Sequence, residues 1–596
     1  MTPILEDLPA PLSGSAEVRP DLQGRYAVAL HATARDLEPT PTANLHLPFR
    51  RGGFPDLCAA LDYAAQGATG LNFFDARGKL LHVLPYSQLA REARAFARNL
   101  IGGGMGRGAR VLMVADTSPG FCIAFFGAQY AGVVPVPVST PVGLGARASY
   151  IEQLKRQIAA AGAIAVLAPD ALVAFAQEAA AGTPVRLAGA VADFQALPAS
   201  QSAVRPFRAG EACYVQFSSG STRDPQGIDI RQDQLMANID GSLAAQEIDA
   251  TDAGVSWLPF YHDMGLIGFV LAPMCAQRSV DLLAPHDFAR RPLQWLSLIS
   301  RRRATITYSP SFGYDLVIRR ARTQDAGGID LSSLRLAGIG ADMIQPAVLD
   351  RFAAAFAANG FDRRALLPSY GMAEVCVGLS FATPLGGVKV DSFADPQTGR
   401  LRDFVVCGRV IAGHTVEIRE TDGQVLGERQ VGRLFVQGAS VMPGYFRPGP
   451  RSVSPLRDRW LDTGDLGYWC DGELVITGRA KDLIIVNGRN VWPQDIEWAV
   501  EKLPQVRRGD CCAFSITAAE TEKAVVLVES RPDSAAERGA LEGDVRQAVK
   551  EAVGLDCEIV LIGRQPGLPR TSSGKLARLQ ARGLFLTGAY AAAAPS

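Results

Sequence analysis

The sequence predicts an α/β protein: a large N-terminal domain of parallel-type sheets covered by helices, with a small β-rich subdomain, followed by a small α+β C-terminal domain. Three observations predict it. The chain has 596 residues, well beyond the ~250–300 at which a single core stops growing. Short apolar segments alternate with amphipathic helical ones as far as Val405, the pattern of strands with helical cover. Beyond Val405 the segments shorten and glycine turns multiply, as in Val431 to Gly438.

Taken in order, residues 1–50 are rich in proline, threonine and small polar residues without periodicity, and are expected to form an extension or loose surface wrap. Leu89, Ala93, Phe96 and Leu100 recur at helical spacing, and the glycines from Gly102 to Gly108 turn the chain into an apolar strand at Arg110 to Val114. Phe121 to Val138 reads as a buried helix followed by a strand. Its Gln129, Tyr130, Pro135 and Pro137 argue against a membrane span. Helices are expected near 150–161, 232–245 and 292–303, with strands at 163–168, 214–217, 255–258 and 304–308. The major boundary is placed after Gly478-Arg479, giving a large domain over 51–479, its β-rich subdomain over 405–479, and a small domain over 480–596. In the last, Pro493 to Leu503 reads as a helix with proline in its first turn, and strands follow near Cys512 and over Ala524 to Glu529.

Composition excludes several classes of function. Lys plus Arg and Asp plus Glu each number 60, so no net charge is available to attract a polyanion across a broad surface, and nucleic acid is not an expected partner. The ten cysteines contain no Cys-x-x-Cys pair, which points to buried thiols in a reducing compartment rather than a zinc or redox site. The N-terminus carries acids and prolines where a secretory signal needs a basic start and an apolar run. A soluble, cytoplasmic protein without an integral membrane segment is expected.

Five motifs can carry chemistry. In Tyr214 to Ile228 a strand opens into Ser218-Ser219-Gly220-Ser221-Thr222-Arg223, whose hydroxyls and backbone N–H groups can wrap phosphate oxygens. It lacks the Walker Gly-Lys-Ser/Thr, and a plain surface loop is the alternative. Trp257 to Leu266 encloses His262-Asp263-Met264-Gly265 in aromatic and apolar residues. This suits the wall of an acyl pocket with one polar group near the carboxylate end, or else a core histidine held by an acid. In Pro368-Ser369-Tyr370-Gly371-Met372-Ala373-Glu374, Tyr370 can stack on a purine and Glu374 can hold Mg²⁺. In Trp460 to Gly467, followed by Gly478-Arg479-Ala480-Lys481-Asp482, Asp465 can accept hydrogen bonds from ribose hydroxyls. Each acid taken singly is as readily a turn residue or an ion-pair partner. Leu568 to Leu576 is a basic, hydroxyl-rich loop containing Lys575, a residue type usually found on the solvated surface.

The order and spacing of these motifs together resemble the adenylate-forming family of acyl-CoA ligases, peptide-synthetase adenylation domains and luciferases, from about Phe54 to Leu576. Within it, Lys481 to Glu497, with its Val-Asn-Gly-Arg-Asn-Val-Trp-Pro run, is similar to the fatty-acyl-AMP ligase branch. Gly127 to Pro141 resembles that branch's early helix and strand. Thr383 to Phe404 occupies the place of an insertion that, in the branch, limits domain motion and accompanies poor use of CoA.

The resemblance implies attack of a fatty acid carboxylate on the α-phosphate of ATP, with release of pyrophosphate. It implies that Lys575 bridges the two reacting anions and that Ser218, Ser219, Gly220, Ser221 and Thr222 hold the leaving phosphates. Mg²⁺ would lie on Glu374 and Thr222. Gly338, Gly340, Ala341, Asp342, Ser369, Tyr370, Gly371 and Met372 would frame the adenine, while Asp465 and Arg479 would hold the ribose. Most family loops carry glycine and lysine where this chain has Arg223 and Gln226, so Arg223 is the residue available to clamp phosphate. A hinge at Lys481-Asp482 makes the small domain mobile and able to alternate between adenylation and transfer. The expected acceptor is the phosphopantetheine thiol of an acyl carrier protein. The alternatives are an acyl-CoA ligase using free CoA and a non-catalytic adenylate-binding protein.

Overall fold

The computed structural model describes residues 37–141, 147–217, 226–321, 327–394, 399, 401–446, 454–486, 489–518, 521–563, 567–571 and 575–590. The phosphate loop from Ser218 to Arg223, with Thr222, lies outside the described residues, as do residues 1–36, 487–488 and 572–574.

The centre of the large domain is a nine-stranded sheet. Gly70–Phe74, Val280–Leu283, Gly254–Ser256, Ile306–Ser309, Leu336–Ile339 and Leu366–Gly371 run parallel, each paired to the next. Leu80–Pro85 closes one edge antiparallel, and Gly378–Phe381 with Arg409–Val410 closes the other. The strands Val280–Leu283 and Leu336–Ile339 are buried at every position, as expected of parallel strands covered on both faces. A second, all-parallel sheet holds Val134–Val138, Arg110–Val114, Ala165–Leu167 and Leu187–Gly189 in that order.

Local chemistry explains the elements between them. The helix Pro119–Ala131 starts where the Ser118 hydroxyl accepts the Phe121 N–H at 3.2 Å, with proline in the first turn. It ends at Gly132 in the left-handed region. Every residue from Phe121 to Ala131 is buried, which a helix apolar on all sides requires. The helices expected near 150–161, 232–245 and 292–303 are Arg147–Ala161, Gln232–Ala245 and Leu293–Arg302.

Some boundaries differ from the expected ones. The strand at 255–258 ends at Ser256, because the Ser256 hydroxyl accepts the Leu258 N–H at 3.1 Å and turns the chain before Pro259. The strand at 304–308 begins only at Ile306 and runs to Ser309. Residues 38–50 form no helix or strand. Thr40 is nonetheless buried, donating its N–H to Asn72 at 2.8 Å and sharing a 2.9 Å hydroxyl contact with Ser279.

Beyond Val405, His414–Arg419, Gly432–Gly438 and Trp460–Cys470 form an antiparallel sheet with Leu456–Arg457 and Glu473–Arg479. The segment 383–404 contains an antiparallel hairpin, Val390–Ala394 with Leu401–Val405. The small domain has its own core, in which Ile496, Val500, Val526, Val545 and Val549 pack together. Its sheet joins Cys511–Ala518, Thr521–Glu529 and Cys557–Ile562, and the expected helix at 493–503 spans Pro493–Val500. Among the described residues no helix is long and apolar enough to cross a membrane.

Candidate active site

A cavity of about 1420 Å³ opens at the carboxyl ends of the parallel strands, between the large and small domains. Its lining follows from the topology. Trp257, Pro310 and Gly340 each come just after a central strand, and Ser369 to Gly371 close another, the place where open α/β sheets bind ligands.

One wall is the Tyr-Gly-Met-Ala-Glu segment. The Tyr370 hydroxyl donates to Asp465 Oδ2 at 2.6 Å. Burial first, and the Asp465 charge next, keep this phenol far above its ordinary pKa and so neutral. A Cβ on Gly371 would stand 1.8 Å from the Val377 carbonyl oxygen, so only glycine fits directly after Tyr370. Glu374 faces the cavity. Burial raises its carboxyl, against the pull of Arg479. The Tyr445 hydroxyl hydrogen-bonds to it, and burial pushes that phenol up to about 12.

Asp465 is held beside Tyr370 by its own turn. Gly464 takes φ +73°, with its N–H on Asp462 Oδ1 at 3.1 Å, and the Asp465 N–H reaches the Thr463 hydroxyl at 3.1 Å. Across the ladder Asp465 is paired with Arg479, whose Nε lies 3.0 Å from Oδ1. Tyr370, Asp465 and Arg479 therefore form one connected polar group at the cavity edge.

The loop after Leu336–Ile339 brings Gly340, Ala341 and Asp342 to the cavity. Ala341 is held at φ +75°, a left-handed conformation that costs a non-glycine residue about 1 kcal/mol or more and is typical of functional sites. The Ser369 hydroxyl donates to the Ile339 carbonyl at 3.2 Å and ties this loop to the next strand. Gly338 and Gly265 lie behind the wall rather than on it. A Cβ on Gly338 would come within 2.1 Å of the Tyr308 ring.

The small domain contributes the fourth side. Lys575 lines the cavity with Gln494 and Arg578, close enough to Asp263 and Asp342 to act on both carboxyls. Deep placement in the cleft raises the Asp342 carboxyl, opposed by Lys575, His262 and Arg578. Burial also opposes ionisation of Asp263. The His262 ring 2.5 Å away, the Met264 N–H and Lys575 outweigh it and hold that carboxyl below its ordinary value. Met264 lies beside this pair on the wall.

Lys575 is itself positioned. The Thr571 hydroxyl accepts its backbone N–H at 3.2 Å, and its carbonyl accepts the Thr571 N–H at 2.8 Å. Three residues on, Arg578 grips Glu497 twice, at 3.0 and 2.5 Å, and reaches Asp482 at 3.5 Å. Lys481 and Asp482 lie on a short 3₁₀ turn directly after Arg479.

Sequence motifs brought together Tyr370, Glu374, Asp465, Arg479, His262, Asp263, Asp342 and Lys575. They did not single out Tyr445 or Arg578. Tyr445 lies in a Pro-Gly-Tyr turn with no chemical signature. Arg578 gains its role only from Glu497, distant in sequence.

A cavity at the carboxyl ends of a parallel sheet, closed by a small domain that presents a lysine, defines the adenylate-forming enzyme fold. The chain belongs to the AMP-binding enzyme family, whose description matches residues 80–446, and it is an AMP-forming ligase. It is 44% identical over 569 residues to a Caulobacter vibrioides protein provisionally named an acyl-CoA synthetase, covering 92% of this chain and 98% of the relative. It is 28% identical to the long-chain-fatty-acid–AMP ligase FadD32 of Mycolicibacterium smegmatis, over 92% of this chain and 98% of that one. A solved structure from work on the fatty acyl-adenylate ligases of E. coli and L. pneumophila superposes with a TM-score of 0.86 at 39% identity, covering 91% of this chain and all of that one.

Proposed function

We propose that this protein is a fatty-acyl-AMP ligase that passes its acyl group to the phosphopantetheine thiol of an acyl carrier protein. The observation that carries the reading is the placement of Lys575, delivered by the small domain into a cavity already lined by Tyr370, Glu374, Asp465 and Arg479.

In the reaction a fatty acid carboxylate oxygen forms a bond to the α-phosphorus of ATP, and the bond from that phosphorus to the bridging oxygen breaks, releasing pyrophosphate. Two anions must approach, so positive charge at the meeting point lowers the barrier. Lys575 supplies it. Asp465 accepts the ribose hydroxyls while Arg479 and Tyr370 hold its carboxylate in place. The Gly340 to Asp342 loop and Tyr370 frame the adenine. The Ser218 to Thr222 loop and Arg223 are assigned to the phosphates by sequence.

Mg²⁺ takes one or two carboxylates and leaves the rest of its shell to nucleotide phosphates and water. Glu374, aimed into the cleft and held by Tyr445, is the carboxylate suited to it, with Thr222 assigned by sequence. Mg²⁺ would supply charge neutralisation at the phosphates.

Transfer then requires the thiol to attack the acyl carbonyl and expel AMP, with the small domain turned about Lys481-Asp482. The carrier protein is favoured over free CoA by the 390–405 hairpin, whose Arg402 is ion-paired to Asp495 of the small domain. The second reading, an acyl-CoA ligase, draws on the 44% identical relative. Incubating the enzyme with ATP and fatty acids, detecting acyl-adenylates by mass spectrometry, and then adding CoA or a phosphopantetheinylated carrier separates the two. Efficient acyl-CoA formation without carrier loading would overturn the preferred reading. Absence of fatty-acid-dependent pyrophosphate release would leave a non-catalytic adenylate-binding protein.

A further inference from the structure

The cavity extends beyond the nucleotide and lysine region along one face of the Gln232–Ala245 helix. Ile239, Ser242, Leu243 and Gln246 line it, at the i, i+3, i+4 and i+7 spacing that places side chains on one helical stripe. Seven residues of helix carry this arm about 10 Å. Its first part is apolar, with Ile239, Leu243 and Phe269 on the wall. Its far part is not.

At the far end Arg278 lines the cavity and is 3% exposed. Its Nε donates to the Ala276 carbonyl at 3.1 Å and its Nη1 to the Ala250 carbonyl. Among the described residues no carboxylate forms an ion pair with it, and its Nη2 makes no hydrogen bond that would use up that edge of the fork. Partway along, the Ser242 hydroxyl is buried and has no hydrogen-bond partner. Two buried donors on the wall of the arm penalise a plain alkyl chain, which can satisfy neither.

Acids already outnumber the arginines at this end. Arg278 and Arg335 face Asp249 and Asp252, and Glu247 acts on Arg335 as well. Asp252 is taken by Arg335 and by the Thr305 hydroxyl at 2.6 Å, and Asp249 by the Thr251 hydroxyl at 2.6 Å. A ligand carboxylate would add an unbalanced buried charge, whereas a neutral oxygen would accept from the donors without one.

We propose that this arm selects an acyl chain bearing a neutral hydrogen-bonding oxygen, hydroxyl or carbonyl, distal to its carboxylate, with Arg278 and Ser242 as the specificity-determining residues. The proposal rests on the acyl-adenylate reading above.

The test is pyrophosphate release by the full-length enzyme with three matched sets of acids: straight-chain, distally hydroxylated or oxo, and α,ω-dicarboxylic. The expected result is a kcat/KM about ten-fold or more higher for the oxygenated set than for the straight-chain set. That ratio should fall about ten-fold in Arg278→Met and several-fold in Ser242→Ala. The serine variant guards against a folding defect in the arginine one, since removing an unpaired hydroxyl leaves no new polar group buried. A wild-type ratio near one, a ratio unchanged in both variants, or preference for the diacids each overturns the proposal. No release with any acid overturns it together with the adenylation reading, and so is distinguishable from release without preference.

Discussion

Arg402, on the Leu401–Val405 strand of the 390–405 hairpin, forms an ion pair with Asp495 in the first turn of the Pro493–Val500 helix. The hairpin is fixed to the large domain, because the Phe393 ring packs tilted against Tyr468, centroids 4.9 Å apart, and Asp391 accepts both the Tyr468 hydroxyl at 2.6 Å and Arg429 at 2.8 Å. The pair therefore ties the small domain to a rigid projection. A partly shielded pair of this kind is worth on the order of 1 kcal/mol, about five-fold in the population of a turned small domain. Arg402→Ala is expected to raise acyl-CoA formation from the adenylate about five-fold while acyl-adenylate formation changes little. Quantifying both products in one incubation decides it, and an unchanged partition would remove the hairpin from the control of domain motion.

Lys575 lies where two anions meet, on a domain that must turn away before transfer. Lys575→Ala is expected to lower acyl-adenylate formation by about 10²–10³-fold, yet to leave transfer from supplied acyl-adenylate within a few-fold of wild type. Equal loss of both half-reactions would mean that the lysine side chain supports the structure of the site rather than the adenylation chemistry.

The sequence carried much of this arrangement, for identifiable reasons. The parallel strands were legible because burial on both faces leaves continuous apolar runs, such as the one expected at 163–168 and seen as Ala165–Leu167. The site was legible where backbone geometry demands particular residues, as at Gly371 against the Val377 carbonyl and Gly464 at positive φ. What stayed hidden depends on distant partners. Arg402 is an ordinary arginine until Asp495 arrives beside it, and Arg578 until Glu497 does. The polar end of the acyl arm is also invisible in one dimension, because Arg278 meets the 232–245 helix only through the fold. One strand end moved because a side chain captured the backbone, as Ser256 does.

Glu501 gives a pH dependence to the contact between the domains. Burial pushes its carboxyl up to about 7; Glu497 and Asp315 add to this, and the Gly509 N–H at 2.6 Å and Arg508 oppose it. Arg508 itself reaches Asp315 of the large domain at 3.5 Å, beside Arg319 and Arg351. Since the folded pKa lies above the ordinary 4.5, folding favours the neutral acid. That contribution is full below about pH 4.5 and is lost as pH rises through about 7. Glu501→Gln keeps an acceptor for Gly509 without the charge. The difference in Tm between variant and wild type is expected to grow in the variant's favour from about pH 5 to 8. A difference that stays flat over that range would place Glu501 in a more solvated setting.

Asp465 is 4% exposed and serves two partners, Tyr370 and Arg479. If its carboxylate is the acceptor for ribose hydroxyls, its loss should be felt in ATP binding and much less in binding of the acid. Asp465→Asn preserves the shape but removes the charge that Arg479 faces and one of the acceptor oxygens, and KM for ATP is expected to rise about ten-fold or more. Tyr370→Phe removes only the 2.6 Å hydrogen bond and keeps the ring, so a smaller rise, about two- to five-fold, is expected. The two residues touch, so the double variant should cost less than the sum of the singles. Steady-state kinetics with ATP and acid varied separately tests all three variants. A purely structural Asp465 would lower thermal stability and raise both KM values together, and additive losses in the double variant would show that Tyr370 acts on the adenine independently of Asp465.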